Sequence, residues 1–183
     1  MLHSAAGTSI RIAQQEDSLA IAAVHTASWR SSYRGILSDD YLNEKLESER
    51  LSVWKRRLEF PKTNQYVAVV KQESHIVGFA CAFGGEDELL GTMLDNLHVL
   101  PSQKGKGIGR KLVRDIGCWC DRDYPNKGLY LWVFEQNLPA RRFYDRLGGV
   151  VVGEANRSAP DGTTVKKIRY AWKNIIELIV AAQ

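Results

Sequence analysis

Leu94-Asp95-Asn96-Leu97-His98-Val99-Leu100-Pro101-Ser102-Gln103-Lys104-Gly105-Lys106-Gly107-Ile108-Gly109-Arg110-Lys111-Leu112 is the stretch that decides how this chain folds. Its opening six residues read as a strand. Beyond the glycines, Ile108, Leu112, Ile116 and Trp119 recur at helical spacing. Gly105, Gly107 and Gly109 therefore sit at a helix N-terminus, where the first backbone N–H groups lack intrahelical partners and the positive end of the helix dipole attracts anions. No side chain at these positions holds a ligand away from the backbone. Lys104, Lys106, Arg110, Lys111 and Arg114 add positive charge, and residues 101–114 contain no acid. The implied ligand is a polyanion.

The glycine spacing narrows the choice. Gly-x-Gly-x-Gly is not Gly-x-Gly-x-x-Gly, because Arg110 stands where the last glycine would be needed, and no Gly-Lys-Ser/Thr follows. A dinucleotide or triphosphate loop is thus disfavoured. The run 97–101 followed by Lys104-x-x-Gly107-x-Gly109 resembles the coenzyme A pyrophosphate loop of the GNAT superfamily of N-acetyltransferases. That family usually has Gln or Arg where this chain has Lys104, so the first side chain would make a single-point contact instead of a fork. An ordinary glycine turn on a basic surface is the alternative.

A second motif follows the strand-like residues 129–133. Glu135-Gln136-Asn137-Leu138-Pro139-Ala140-Arg141-Arg142-Phe143-Tyr144-Asp145-Arg146-Leu147-Gly148-Gly149 resembles the family signature Asn-x-x-Ala-x-x-Phe-Tyr-x-x-x-Gly. From the residues alone, Asn137 is a good N-cap, Pro139 lies in the first turn, and Ala140, Phe143, Tyr144 and Leu147 form one helical face ending at Gly148. The bare helix needs no further explanation, but its order and spacing after a phosphate loop favour the functional reading.

Working outward, residues 8–13 are expected as a first strand, and Asp17 as the cap of a long helix reaching about residue 33. Two helical pieces are expected at 39–47 and 48–59. Residues 65–71 and 75–83 read as a hairpin across Gln72-Glu73-Ser74. A central strand spans about 90–99. Residues 149–154 and 164–172 form a last hairpin around Pro160-Asp161-Gly162. The expected fold class is mixed α/β. A mostly antiparallel, twisted central sheet of about six or seven strands carries one splayed parallel pair and is flanked by about four or five helices.

Composition agrees with one domain. The chain has 183 residues, 44% of them hydrophobic, long enough to bury about 70% of its unfolded surface. The whole chain, 1–183, is expected as one acetyltransferase domain, with the resemblance covering about 8–172 and a tail at 173–183. Cys81, Cys118 and Cys120 are an odd count with no second pair or His cluster, so no metal site is expected. Met1 to Ser9 carry no basic region followed by an apolar run, and 175–182 is too short to span a bilayer. A cytoplasmic, reducing location without membrane association is expected.

With 25 Lys and Arg against 21 Asp and Glu the net charge is +4, which raises nucleic acid as a partner. The excess concentrates at the glycine loop and at Lys55-Arg56-Arg57, on the solvated side of a helix whose apolar face is Leu51, Trp54 and Leu58. No nucleic-acid partner is therefore expected.

The resemblance implies acetyl-CoA as co-substrate and transfer of its acetyl group to a primary amine by direct attack in a ternary complex. It implies a pantetheine arm lying between the two parallel strands. Leu97 and Val99 would supply backbone hydrogen bonds, with the Leu97 N–H polarising the thioester carbonyl. Asn137 and Ala140 would line the other side, and Gly105, Lys106, Gly107, Ile108, Gly109 and Arg110 would hold the pyrophosphate. Tyr144 matches the family tyrosine that protonates the leaving sulfur, against the alternative of a packed core tyrosine.

The base is not carried over, because Met93 stands where many relatives have Glu. Asp95, on the same face by strand alternation, is the first candidate. His98 would face the other way, and a water chain is a third possibility. For the acceptor, His25, Trp29 and Tyr33 share one helical face. Trp29 and Tyr33 either line an acceptor pocket, favouring an apolar or aromatic amine, or belong to the core. Two rivals from other classes are a non-catalytic acyl-CoA sensor, which needs no Tyr144, and a basic nucleic-acid-binding domain. The apolar run 175–180 suggests a homodimer contact.

Overall fold

The computed structural model describes residues 7–183. Residues 1–6, part of the segment read above as lacking a leader, lie outside them. In chain order the elements are β1 (Thr8–Ile12), α1 (Ser18–Ser32), α2 (Leu46–Glu59), β2 (Gln65–Gln72), β3 (His75–Asp87), β4 (Gly91–Val99), α3 (Ile108–Asp123), β5 (Leu129–Phe134), α4 (Leu138–Arg146), β6 (Val150–Ser158), β7 (Thr164–Trp172) and α5 (Ile175–Ala181). The seven strands form one sheet in the order β1-β2-β3-β4-β5-β7-β6. Every neighbouring pair is antiparallel except β4 and β5. The expected fold class is the observed one.

Helices cover both faces. On one, Ile108, Leu112, Val113, Ile116, Trp119 and Cys120 of α3 recur at helical spacing and bury against Ala80, Ala82, Leu129, Leu131 and Val133 of the strands. Each fully buried Ile or Leu there contributes about 1.5–3 kcal/mol. On the other face Ile21, Ala22 and Val24 of α1 and Trp54 of α2 pack on Val67, Val69, Phe79 and Cys81.

The parallel pair is short. Only Thr92↔Leu129 and Met93↔Tyr130 are in register, and beyond them the strands part. Their starts are drawn together by two glycines: a Cβ on Gly91 would stand 2.3 Å from the Gly128 carbonyl oxygen, and Thr92 N–H donates to that oxygen at 2.9 Å.

One expectation about β4 is corrected. Cys81 pairs with Asn96 while Ala82 pairs with Leu94, so Asp95 is the extra residue of a β-bulge. A one-residue insertion reverses the alternation beyond it. His98 therefore points to the same side of the sheet as Met93 and Asp95, among His25, Trp29 and Phe79.

Three further details differ. Asp17 flanks α1 without capping it, because its carboxylate is held by Arg11 at 2.6 and 2.8 Å and by Gln14 N–H at 2.8 Å. The two pieces expected at 39–47 and 48–59 run together through a π-helical segment, Tyr41–Lys45, directly into α2. The tail at 175–181 is α5, whose Ile175 and Leu178 bury within the same chain; Ile179 sits where a Cβ on Gly117 of α3 would be, 2.8 Å away. Ile176 and Val180 of the same run stay more than half exposed, at 52% and 58%. Among the described residues no helix is long and apolar enough to cross a membrane.

Candidate active site

The site is built where β4 and β5 separate. Leu100 N–H donates to Val77 C=O at 2.9 Å, and in this antiparallel register (Val99↔Gly78, Leu97↔Ala80) hydrogen-bonded and non-bonded pairs alternate. His98 and Asn96 therefore share the bonding direction of Leu100. The N–H and C=O groups of Leu97 and Val99 point away from β3, into the splay, where β5 no longer pairs with β4. Backbone donors and acceptors thus line the gap.

The gap leads to the glycine loop. Gly105 and Gly107 have φ of +80° and +78°, a region that L side chains rarely adopt, and nothing lies within 4 Å of where their Cβ atoms would be. Gly107 is the N-cap of α3 and supplies no side-chain cap, so the first N–H groups of the helix face open space with the positive end of its dipole. The geometry suits the diphosphate of an acyl-CoA. The cationic side chains are arranged around the loop and not over it. Lys106 Nζ donates to Gln103 Oε1 at 3.0 Å, Arg110 Nη1 reaches Gln183 C=O at 3.5 Å, and Lys104 Nζ donates to Ser32 Oγ of α1 at 3.0 Å. Burial lowers the Lys104 pKa from its ordinary value. Gly109 faces the Phe143 ring, 3.4 Å from where its Cβ would be, so the start of α3 packs closely on α4.

On the β5 side, Asn137 caps α4, its Oδ1 accepting from Ala140 N–H at 3.3 Å. Tyr144, one turn further, is buried, with its ring among Phe143, Tyr170 and Trp172. Its hydroxyl makes no protein hydrogen bond among the described residues. Burial, and then the neighbouring Tyr33 phenol, raise the Tyr144 pKa above the usual tyrosine range, so it keeps its proton at any physiological pH.

A cleft of about 400 Å³ opens at the point of separation, lined by Met93, Leu94, Asp95, Trp132, Arg157, Ser158 and Lys167. Asp95 meets Arg57 of α2 at 2.7 Å. Trp29 and Tyr33 do not line this cleft. Trp29 packs with Leu37, Tyr41, Leu42 and Leu46, and Tyr33 lies edge-on to it at 5.1 Å and to Phe134 at 4.8 Å. Burial pushes the Tyr33 pKa up to about 12. His98 donates and accepts within the same cluster: Ser28 Oγ is 3.1 Å from Nδ1, and Trp29 Nε1 donates to Nε2 at 3.4 Å. Burial, Lys104 and Arg50 push its pKa down to about 3.

Sequence reasoning did not single out Trp132, Arg157 or Lys167. The available signal was in β7, where Val165, Lys167 and Arg169 alternate with the buried Ile168 and Tyr170, placing two cations on the face of the sheet opposite α3. Among the described residues no group of His, Cys, Asp and Glu is placed to hold a metal ion.

Residues 24–149 match the Acetyltransferase (GNAT) family. The uncharacterised N-acetyltransferase YuaI of Bacillus subtilis is 31% identical over 173 residues, covering 92% of this chain and 95% of its own. Spermine/spermidine N(1)-acetyltransferase of the same organism is 34% identical over 88 residues, 45% of this chain and 57% of that one. Among solved structures, the PaiA N-acetyltransferase of Thermoplasma acidophilum in complex with coenzyme A superimposes with a TM-score of 0.67 at 19% identity, over 88% of this chain and 98% of that one. The YncA acetyltransferase of Salmonella typhimurium with acetyl-CoA gives 0.62 at 20% identity, over 90% and 92%.

Proposed function

The chain belongs to the acetyltransferase (GNAT) family, and from that premise we propose that it moves an acetyl group from acetyl-CoA to a primary amine by direct attack in a ternary complex, acting as one cytoplasmic domain. The observation that carries this reading is the continuity of the splay with the uncapped N-terminus of α3. Backbone groups of Leu97 and Val99 face a gap that ends at Gly105 and Gly107, where a diphosphate has room. Acetyl-CoA supplies the activated thioester; the protein's part is placement and proton handling.

Gly105 to Arg110 hold the diphosphate through backbone N–H groups and nearby cations. Leu97 N–H donates to the carbonyl oxygen as charge develops on it, an interaction stronger in the transition state than before it. A primary amine with pKa near 10 is mostly protonated at neutral pH. Asp95, directly or through water, takes the proton that the amine must lose. Tyr144, protonated throughout, donates to the departing sulfur. Holding both reactants together removes much of the entropic barrier of a bimolecular step.

Thermal stability with acetyl-CoA and, separately, ATP and NAD tests the reading, followed by thiol release across an amine panel. Stabilisation confined to acetyl-CoA, about 2.7 kcal/mol at a hundredfold excess over Kd, with thiol release on some amine, is expected. Stabilisation without turnover on any amine would favour an acyl-CoA sensor. No stabilisation at all would overturn the phosphate-loop reading.

A further inference from the structure

We propose, on the reading of the site as an amine acetyltransferase, that the acceptor carries an oxyanion, a carboxylate or phosphate, held by Arg157 and Lys167 while its amine is directed at Asp95. The charges of the cleft carry this. Three of its lining residues are ionic: Asp95, Arg157 and Lys167. Asp95 already has a cationic partner in Arg57 at 2.7 Å. Neither Arg157 nor Lys167 has a carboxylate within ion-pair distance among the described residues. Their neighbour on the opposite face, Lys166, is by contrast bridged to Glu135 and to Glu154, both at 3.0 Å. The cleft therefore presents two cations without an ion-pair partner, facing one carboxylate, Asp95, that Arg57 already holds.

Their surroundings sharpen the point. Lys167 Nζ lies 5.2 Å over the Phe134 ring, and Arg157 Cζ is 5.9 Å over the Trp132 ring, whose flank is shared by Arg169 at 5.1 Å. Burial lowers the Lys167 pKa, the Asp95 carboxylate across the cleft acts against it, and Arg157 adds to the lowering. A half-buried cation without a counter-charge costs stability, and a bound oxyanion removes that cost. The guanidinium fork of Arg157 suits either a carboxylate or a phosphate. Trp132 and Met93 give the amine's carbon body an apolar wall. A polyamine would bring further positive charge beside Arg157 and Lys167, a juxtaposition that disfavours binding. The partial likeness to a spermine/spermidine enzyme, 45% of this chain, thus does not extend to its acceptor.

The test compares acceptors matched in shape and differing in charge: α-amino acids against their α-amides, phosphoethanolamine against ethanolamine, and spermidine. Thiol release from acetyl-CoA gives kcat/KM, and calorimetric titration with coenzyme A present gives affinity without requiring turnover. At least tenfold preference for the anionic member of a pair is expected, and the pair showing it distinguishes carboxylate from phosphate. Arg157→Gln and Lys167→Gln should each bring the preference towards unity through KM, with acetyl-CoA affinity unchanged. Amides, ethanolamine or spermidine binding as well as the acids, or a preference untouched by both substitutions, would overturn the proposal. Failure of acetyl-CoA to bind the unsubstituted protein would instead remove the premise, and that arm reads separately.

Discussion

The Asp95 carboxylate accepts a hydrogen bond from Arg57 Nη1 at 2.7 Å, and the same nitrogen reaches Asn96 Oδ1 at 2.9 Å, so one guanidinium holds both residues of the β4 bulge. The second oxygen of Asp95 has no protein hydrogen bond among the described residues, and the residue lines the cleft. In the proposed reaction it is the carboxylate that receives the amine proton or orders a water that does.

Asp95→Asn preserves shape and removes the charge. A rate about 10²-fold lower is expected, at the low end of acid–base contributions. The deficit should be largest below neutral pH, because at high pH the amine is already free and needs less help. Steady-state rates between pH 6 and 10 measure this; an unchanged profile removes Asp95 from proton transfer and leaves His98 or a water chain.

Tyr144 separates packing from chemistry. Its ring is buried but its hydroxyl makes no protein hydrogen bond among the described residues, so Tyr144→Phe should leave stability within about 0.5 kcal/mol. Thiol release should nonetheless fall by about 10²-fold, with acetyl-CoA affinity retained. Equal turnover of the two proteins would assign Tyr144 to the core alone.

How far the sequence disclosed this arrangement depends on how local each signal was. The α3 and α4 motifs were legible because glycines, a cap and helical periodicity lie within one short stretch. The bulge was not: one extra residue leaves the composition of β4 unchanged, and only the adjacent polar pair Asp95-Asn96 hinted at it. Simple alternation along β4 therefore puts His98 on the wrong face. Arg157 and Lys167 reach the cleft only because β7 inserts beside β5 in the sheet, a long-range fact that spacing cannot express. Trp29 and Tyr33 share a helical face as expected, but tertiary packing decides that the face meets Leu42, Leu46 and Phe134 and not the cleft.

Gly107→Ala probes the loop. At φ +78° an L residue is strained by about 1–2 kcal/mol, which should lower Tm by a few degrees. Acetyl-CoA affinity should drop at least tenfold, because the strain is relieved by turning the first N–H groups of α3 away from the ligand. Gly162→Ala, at φ +85° in the β6–β7 turn, is the control. It should cost similar stability and leave acetyl-CoA affinity alone. Equal affinities for the two variants would detach Gly107 from binding.

His98 links stability to pH and also bears on the identity of the base. Trp29 Nε1 can only donate, so His98 Nε2 must accept and Nδ1 must carry the proton towards Ser28 Oγ. Protonation would set N–H against N–H beside Lys104 and Arg50, in accord with a folded pKa of about 3 against an unfolded value near 6.5. Between these values the unfolded chain binds a proton that the folded one refuses. Stability should therefore rise with pH across that window, by at most about 1.4 kcal/mol per pH unit from this group, and be flat above it. His25, buried and stacked on His98 at 4.4 Å, has its pKa lowered in the same direction. In His98→Gln the amide oxygen can still accept from Trp29 but no proton is taken up, so urea unfolding between pH 4 and 7 should show a shallower slope. With its lone pair engaged by Trp29, His98 is a poor proton acceptor at neutral pH. The same variant should thus keep the acidic limb of its rate profile, whereas loss of that limb together with an unchanged stability slope would make His98 the base in place of Asp95.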